Sequence, residues 1–254
     1  MISRTPATQL FGPPGYAPSG RPLYRGGASA AWTPASLPAW TTDGDWWARN
    51  DLSKILKAAA TPVTAYDDPV YSWLGKINSI PLEQATAGNQ PKYVAGGIQF
   101  MLDVAQRYLR TESASGYGTY SQTVPRTIWA KIAITATANP SAIMGLTNAG
   151  ATSARTGFGH TTQLYVVARE GFETFGAVSG TNKYILTFDG ASTGQFFLND
   201  LGVQIPGIGT AATTSPFAIG SGDGNHTVLD FGIYPGVMSA GEITLLKTYL
   251  DSLT

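Results

Sequence analysis

The sequence predicts an all-β fold: a jelly-roll-like double-sheet sandwich with a C-terminal helix packed outside it and an extended N-terminal arm. Three observations carry this. Short apolar runs of strand period recur from about residue 98 onward, separated by turns rich in Gly, Asp and Asn. Only the last segment of the chain shows a helical stripe behind a capping signal. Residues 1–38 carry proline and glycine too densely for either a helix or a ladder to run.

The arm holds Pro6, Pro13, Pro14, Pro18, Pro22, Pro34 and Pro38, and it has no acidic residue. It does carry Arg4, Arg21 and Arg25, and the apolar residues Leu10, Phe11, Tyr16, Leu23, Tyr24 and Trp32. Disordered tails are poor in aromatics. The segment is therefore expected to dock on a surface, its own or a neighbour's, with Phe11, Tyr16, Tyr24 and Trp32 as assembly anchors. Residues 39–254 are assigned to the sandwich. Trp40, Trp46 and Trp47 mark entry into the domain. Asn50 or Asp51 is placed to cap a short helix with Leu52, Ile55 and Leu56 on one side.

Strand period then takes over. Ile98, Phe100 and Leu102 share one face. Across 126–136, Ile128, Ala130, Ile132 and Ile134 alternate with Trp129, Lys131, Ala133 and Thr135. Residues 163–169 form a compact apolar run. Residues 183–188 and 195–198 read as a hairpin across Asp189–Gly190 and a polar loop. Residues 217–220 and 227–234 follow, with a Gly-Asp-Gly-Asn turn between them. Strands at this spacing argue for a sandwich. At the end, Ser239 and Glu242 fit a capping box, and Ile243, Leu246, Leu250 and Leu253 recur at helical spacing.

Composition fits one large β domain. Hydrophobic residues make up 43% of the 254, enough for a sizeable core, while charged residues are only 13%, about half the share in ordinary soluble domains. A surface this poor in charge is easily desolvated and suits packing against partners. Lysine plus arginine equals aspartate plus glutamate, at 16 each, so no net field draws nucleic acid or an anionic membrane. The absence of cysteine removes disulfides and thiolate metal sites. The N-terminus lacks the basic-then-apolar pattern of a secretory signal, and no apolar stretch is long enough to span a bilayer.

Two stretches carry a family resemblance. The first holds Asp51–Leu52–Ser53, Asp68–Pro69–Val70 with Trp73, Gln84–Ala85–Thr86, Asn89–Gln90–Pro91–Lys92–Tyr93, Gly97–Ile98–Gln99–Phe100 and Tyr108–Leu109. The second holds Asp230–Phe231–Gly232–Ile233–Tyr234, Met238–Ser239, Glu242 and Tyr249–Leu250. Between them, Phe188–Asp189–Gly190 and Ala218–Ile219–Gly220 match in general character. In this order the motifs resemble laminin-G-like, concanavalin A-like domains of the lectin–glucanase superfamily, of the kind found in bacteriophage virion proteins. The family commonly carries Glu where Asp230 stands. Its Gly-rich loop after the Trp is replaced here by Leu-Gly-Lys-Ile-Asn-Ser at 74–79, so no ligand or metal role is assigned to that loop.

Catalytic chemistry finds little support. A glycosidase needs two carboxylates flanking the scissile bond, and the nearest pair, Glu170 and Glu173, is spaced onto opposite strand faces. His160 and His226 fall in separate Gly-rich turns, with no nucleophile elbow beside either. Asp200 reads as a turn former. Asp43 with Asp45, Asp67 with Asp68, and Asp223 with Asn225 cluster oxygens without matching a calcium loop. No catalytic, cofactor or metal site is assigned. Trp73, Trp129, Tyr165 and Tyr184 are candidates for a glycan-stacking surface, with Trp73, Trp129 and Tyr165 taken as the platform.

Taken with the resemblance, these features lead to an expectation of a non-enzymatic virion structural protein: a bacteriophage capsid decoration, tail or fibre component. It would be made in the host cytoplasm and assemble as a homo-oligomer with other virion proteins through its arm. The alternative is a lectin-like carbohydrate-binding module that recognises a receptor or surface glycan.

Overall fold

A computed structural model describes residues 31–101, 107–111, 120–137, 141–147, 154–160, 163–168, 171–191, 193–205, 214–220 and 224–254. The chain divides into two units, Met1–Ala31 and Trp32–Thr254, and the second is the β-sandwich. Phe11, Tyr16 and Tyr24 lie outside the described residues.

Two long strands form the spine of the first sheet. Arg126–Thr137 and Gly224–Tyr234 run antiparallel, with Thr127 opposite Tyr234, Trp129 opposite Gly232 and Lys131 opposite Asp230. Gly180–Phe188, Gly194–Leu198 and Leu201–Ile205 continue the sheet on one side to its edge. On the other side Gly97–Phe100 pairs with one half of Gly224–Tyr234, and Asp45–Ala48 pairs with the other half. Among the described residues this sheet has eight strands and the facing one ten, both antiparallel. Each expected strand has its counterpart among the described residues, the first as Gly97–Phe100 with Leu102 lying outside them, and over those residues the fold is an all-β sandwich with one C-terminal helix.

Alternation along these strands divides the apolar residues between two cores. Ile128, Ala130, Ile132 and Ile134 face the second sheet and meet Met144, Leu146, Phe158, Phe217 and Ile219 there. Trp47 lies at the centre of that core. Its ring stacks 4.8 Å from Phe231 and 5.8 Å from Phe217. Its Nε1 donates to the carbonyls of Trp73 and Ile80, at 3.0 and 3.1 Å.

Trp129, Ile185 and Tyr234 point the other way, under the helix Ala240–Ser252. The ring of Trp129 lies across Gly232, where an added Cβ would stand 2.1 Å from Trp129 Cζ2. The helix starts as expected: the Ser239 hydroxyl accepts from the Glu242 amide, and Glu242 accepts from the Ser239 amide at 2.7 Å. Ile243, Leu246 and Leu250 are buried against the sheet. The helix C-terminus carries unpaired carbonyls and partial negative charge, and cations from the sheet meet it there. Lys131 Nζ donates to Leu250 O at 2.7 Å and to Leu253 O, and Lys183 pairs with Asp251 at 2.7 Å.

Three expectations change. The helix anticipated after Asn50 is a single 3-10 turn, Leu52–Lys54, because Ile55 and Leu56 are drawn into a strand pairing with Trp73 and Ser72. His226 is in the strand Gly224–Tyr234 rather than a turn, buried with its ring stacked 5.2 Å from Phe100. His160 ends the strand Ala154–His160.

The sandwich unit also begins earlier than residue 39. Trp32 packs edge-on against Tyr249 of the helix at 6.4 Å, and Leu37 is buried in the outer core. Burial decides this boundary: the prolines that suggested an arm as far as residue 38 coexist with side chains docked on the domain. A chain beginning at Trp40 is therefore expected to be less stable to urea than one beginning at Trp32, by about 2–5 kcal/mol for the lost Leu37 and Trp32 contacts. Equal urea midpoints for the two chains would show that residues 32–39 contribute nothing to folding.

Candidate binding groove on the outer face of the first sheet

The helix covers only part of the outer face of the first sheet. Beside it a polar row crosses the strands: Tyr234, Thr127, Thr187, Gln195 and Gln204, each opposite the next in register. The same parity that sends Phe196 into the main core puts Gln195 on the outside. A two-residue turn, Asn199–Asp200, joins Gly194–Leu198 to Leu201–Ile205. Asn199 has φ +54°, the left-handed conformation that such a turn favours and that Asn tolerates. That turn places Gln195 directly across from Gln204.

A groove of about 390 Å³ lies over this row. It is lined by Thr187, Phe188, Asp189, Thr193, Gly194, Gln195, Gln204 and Val237. Gln195 and Gln204 are exposed, and no described residue hydrogen-bonds their carboxamides. Val237, in the segment that leads into the helix, forms an apolar wall and is 49% exposed. The Thr187 hydroxyl donates to Gln195 O at 3.4 Å.

At one end the hairpin loop after Phe188 folds back on itself. Asp189 Oδ1 accepts from the amides of Ala191 and Thr193 at 2.8 and 2.9 Å, and Oδ2 accepts from the Thr193 hydroxyl at 2.8 Å. Gly190 permits this turn. Its φ is +78°, and an added Cβ would stand 2.2 Å from Thr123 O. The loop is thus held by its own contacts, and the Asp189 carboxylate is turned inward upon it.

The aromatic platform expected from sequence does not form. Trp73 is fully buried in the core between the sheets, edge-on to Phe231 at 4.9 Å. Tyr184 is buried in that core too, stacked on Phe158. Trp129 is fully buried as well, but on the other side of the first sheet beneath the helix. The two tryptophans therefore share no surface and present no face to solvent. Tyr165 is in the strand Leu164–Ala168, paired with Gly159 and Thr174, and its side chain lies outside the described residues. Large aromatics in strands lose most water by facing inward, which is why the pattern misled.

The acidic clusters turn out to be internal fasteners. Asp43 pairs with the buried Arg126 at 3.0 Å. Asp45 accepts from the amides of Trp46, Ile77, Asn78 and Ile80. Asp68 Oδ2 accepts from the amides of Thr64 and Ala65 and from Lys57, and these bonds hold its carboxyl at about 2. Asp67 stands 3.8 Å from Lys92. Among the described residues no group of three His, Cys, Asp or Glu is placed to hold a metal ion. Glu173 is in the edge strand Gly171–Thr174, while Glu170 and Asp223 lie outside the described residues. Asp200 occupies the tight turn already described.

No protein-family model and no curated protein matches the chain. Solved structures do. The chain is similar to Trypanosoma rangeli sialidase, with a TM-score of 0.58 and 14% identity, over 87% of this chain and 35% of that one. The same sialidase in complex with sialic acid gives a TM-score of 0.58 and 14% identity, over 87% and 36%. The chain thus spans about a third of the length of these relatives. Fold and site together define an antiparallel β-sandwich with a polar surface groove. The likenesses do not reach the finer resemblance to laminin-G-like domains of bacteriophage proteins.

Proposed function

We propose that this chain is a non-catalytic carbohydrate-binding module that holds a glycan in the groove over Gln195 and Gln204. The observation that carries the reading is the pair of exposed carboxamides, directly opposed on adjacent strands and without partners among the described residues. A carboxamide both donates and accepts, as a sugar hydroxyl does. Two of them fixed on a sheet, beside the exposed Thr193 and the apolar Val237, match the alternating polar and C–H surface of a pyranose. A concave site with a few convergent polar groups is the usual form of a small-ligand site.

The lectin-like sandwich supports the reading through its fold. Hydrolysis does not fit the groove: a glycosidase uses two carboxylates, and the one acid in the described lining, Asp189, has both oxygens committed to its own loop. The virion-assembly role drawn from the arm gains no support from the sandwich unit, where the one described anchor, Trp32, packs on its own helix.

The test is titration of the purified protein against a glycan library, followed by the double variant Gln195→Ala/Gln204→Ala. Losing two hydrogen-bonding groups is expected to weaken binding by about tenfold or more. Stability should stay within about 0.5 kcal/mol, since both side chains are exposed. Binding that is unchanged in the double variant removes the groove from consideration, and an absence of any glycan binding overturns the reading as a whole.

A further inference from the structure

Beyond the groove, and resting on the same carbohydrate-binding role, we infer a second sugar site on the turn at Tyr66, where a tyrosine platform stacks the C–H face of a pyranose ring. Large aromatics lose most water by facing inward, yet Tyr66 is 64% exposed. Its described ring contact is with Tyr93, at 5.7 Å and tilted by 36°. Tyr93 in turn is partly buried against the main core, so the exposed ring leans on an anchored one and keeps a face open to solvent.

Hydrogen bonds on both flanks hold Tyr66 out. Tyr66 and Asp67 are the two central residues of the turn, and the Asp68 amide donates to Ala65 O across it at 3.3 Å. Asp67 has φ +67°, the left-handed conformation that Asp tolerates in a turn. The Asp68 carboxylate accepts from the Thr64 and Ala65 amides on one side, at 2.7 and 3.0 Å. On the other side the turn is laced to the strand Lys92–Val94: Asp67 N donates to Tyr93 O at 2.8 Å, and Tyr93 N to Asp68 O at 2.9 Å. An exposed aromatic fixed in this way is in place before any ligand arrives, which spares the ordering cost of binding.

Polar partners stand on the same two segments. Asp67 and Lys92, with side chains 75% and 39% exposed, are 3.8 Å apart, beyond hydrogen-bond reach. Among the described residues neither charged group is hydrogen-bonded. A carboxylate accepts from two vicinal sugar hydroxyls, and an ammonium donates to a further oxygen, so a ring stacked on Tyr66 finds both kinds of partner beside it. This site and the groove cannot share one sugar. Lys92–Val94 and Leu201–Ile205 are the opposite edges of the first sheet, six strand spacings apart, or about 29 Å at about 4.8 Å each. A glycan-bearing surface engaged at both sites gains through effective concentration what neither contact supplies alone.

The test is amide NMR titration with lactose, maltose, cellobiose and chitobiose, run on wild type, Tyr66→Ala, Tyr66→Phe and Gln195→Ala/Gln204→Ala. Tyr66 is exposed, so its variants should keep the wild-type unfolding midpoint. At least one sugar is expected to shift the amides of residues 64–68 and 92–94, in wild type and in the glutamine double variant alike. Tyr66→Ala should weaken that response about tenfold, while Tyr66→Phe keeps it within about threefold because the stacking face survives. Shifts confined to the groove, or shifts at the turn indifferent to Tyr66→Ala, overturn the second site and leave the groove standing. Tyr66-dependent shifts at the turn with none at the groove support the second site and remove the first. No shift at either place overturns both. A decaproline peptide is titrated alongside, since proline-rich segments also dock on aromatic surfaces. Tyr66-dependent shifts with the peptide and with no sugar overturn the glycan assignment.

Discussion

Replacing Asp45 with alanine is expected to cost about 3 kcal/mol or more. The Asp45 carboxylate is fully buried and accepts four backbone amides: Trp46 and Ile77 at Oδ1, Asn78 and Ile80 at Oδ2, over 2.8–3.2 Å. It pins the 75–80 loop onto the strand that carries Trp46 and Trp47. A buried amide left without an acceptor costs about 1–3 kcal/mol, so the loss passes 3 kcal/mol once two of the four stay dry. For a domain of this size the melting temperature should fall by about 6–12 °C.

Asparagine should rescue little. One of its two terminal atoms is a donor, and either orientation turns it toward two amides that also donate. Gly75 belongs to the same arrangement, since an added Cβ would sit 1.9 Å from Asp45 Cγ. Thermal and urea unfolding of Asp45→Ala and Asp45→Asn decide the matter. An asparagine variant within about 1 kcal/mol of wild type would mean that the loop is held by something else.

The second large effect is a pH dependence traced to Asp230. Burial pushes its carboxyl up to about 8, against hydrogen bonds from Tyr249 and Trp46 that favour the anion. The Trp46 Nε1 and the Tyr249 hydroxyl each reach it at 2.7 Å. Lys76, which stands over the Trp46 ring at 4.7 Å, and Lys131, opposite Asp230 in the ladder, are the neighbouring cations. The sign follows from which state holds the proton. The folded chain keeps it up to about pH 8, while an unfolded aspartate releases it near 3.8. The stabilisation is therefore complete below about pH 4, declines as the pH rises toward 8 and is gone above that.

Asp230→Asn removes this titration and keeps an acceptor for Trp46 and a partner for Tyr249. The variant is expected to overtake wild type as the pH rises, ending a few kcal/mol more stable at pH 8–9, since each tenfold difference in proton affinity between the folded and unfolded chain is worth about 1.4 kcal/mol. Asp68, held at about 2, runs in the opposite direction at low pH, so the informative quantity is the difference between variant and wild type at each pH. Parallel stability profiles from pH 4 to 9 would refute the assignment.

Much of the fold was legible because two periods are hard to mistake. Ile128 through Ile134 alternate as a half-buried strand must, and Ser239 with Glu242 announces the helix that follows. The 3-10 turn at Leu52 was misread because Leu52, Ile55 and Leu56 suit a helix face as well as a turn entering a strand. Local spacing does not record the pairing of Ile55 with Trp73. The site was less legible. Aromatic residues drew attention to Trp73 and Trp129, yet their area is what sends them into the cores. The glutamines carried a usable signal that spacing alone does not weight: Asn199–Asp200 is a two-residue turn, and reflecting the chain about it sets Gln195 opposite Gln204. Recognising the turn was not enough without pairing the strands on either side of it.

One hydroxyl has a thermodynamic consequence for the groove. Thr127 Oγ1 donates to Gly236 O at 2.9 Å and accepts from the Met238 amide at 3.0 Å, so it clamps the backbone on both sides of Val237. The wall is preorganised by a side chain of the sheet it stands beside. Association then needs little ordering of that segment, and the entropy that a mobile wall would forfeit on closing is already spent in folding. A shallow site with few contacts can retain useful affinity on that account.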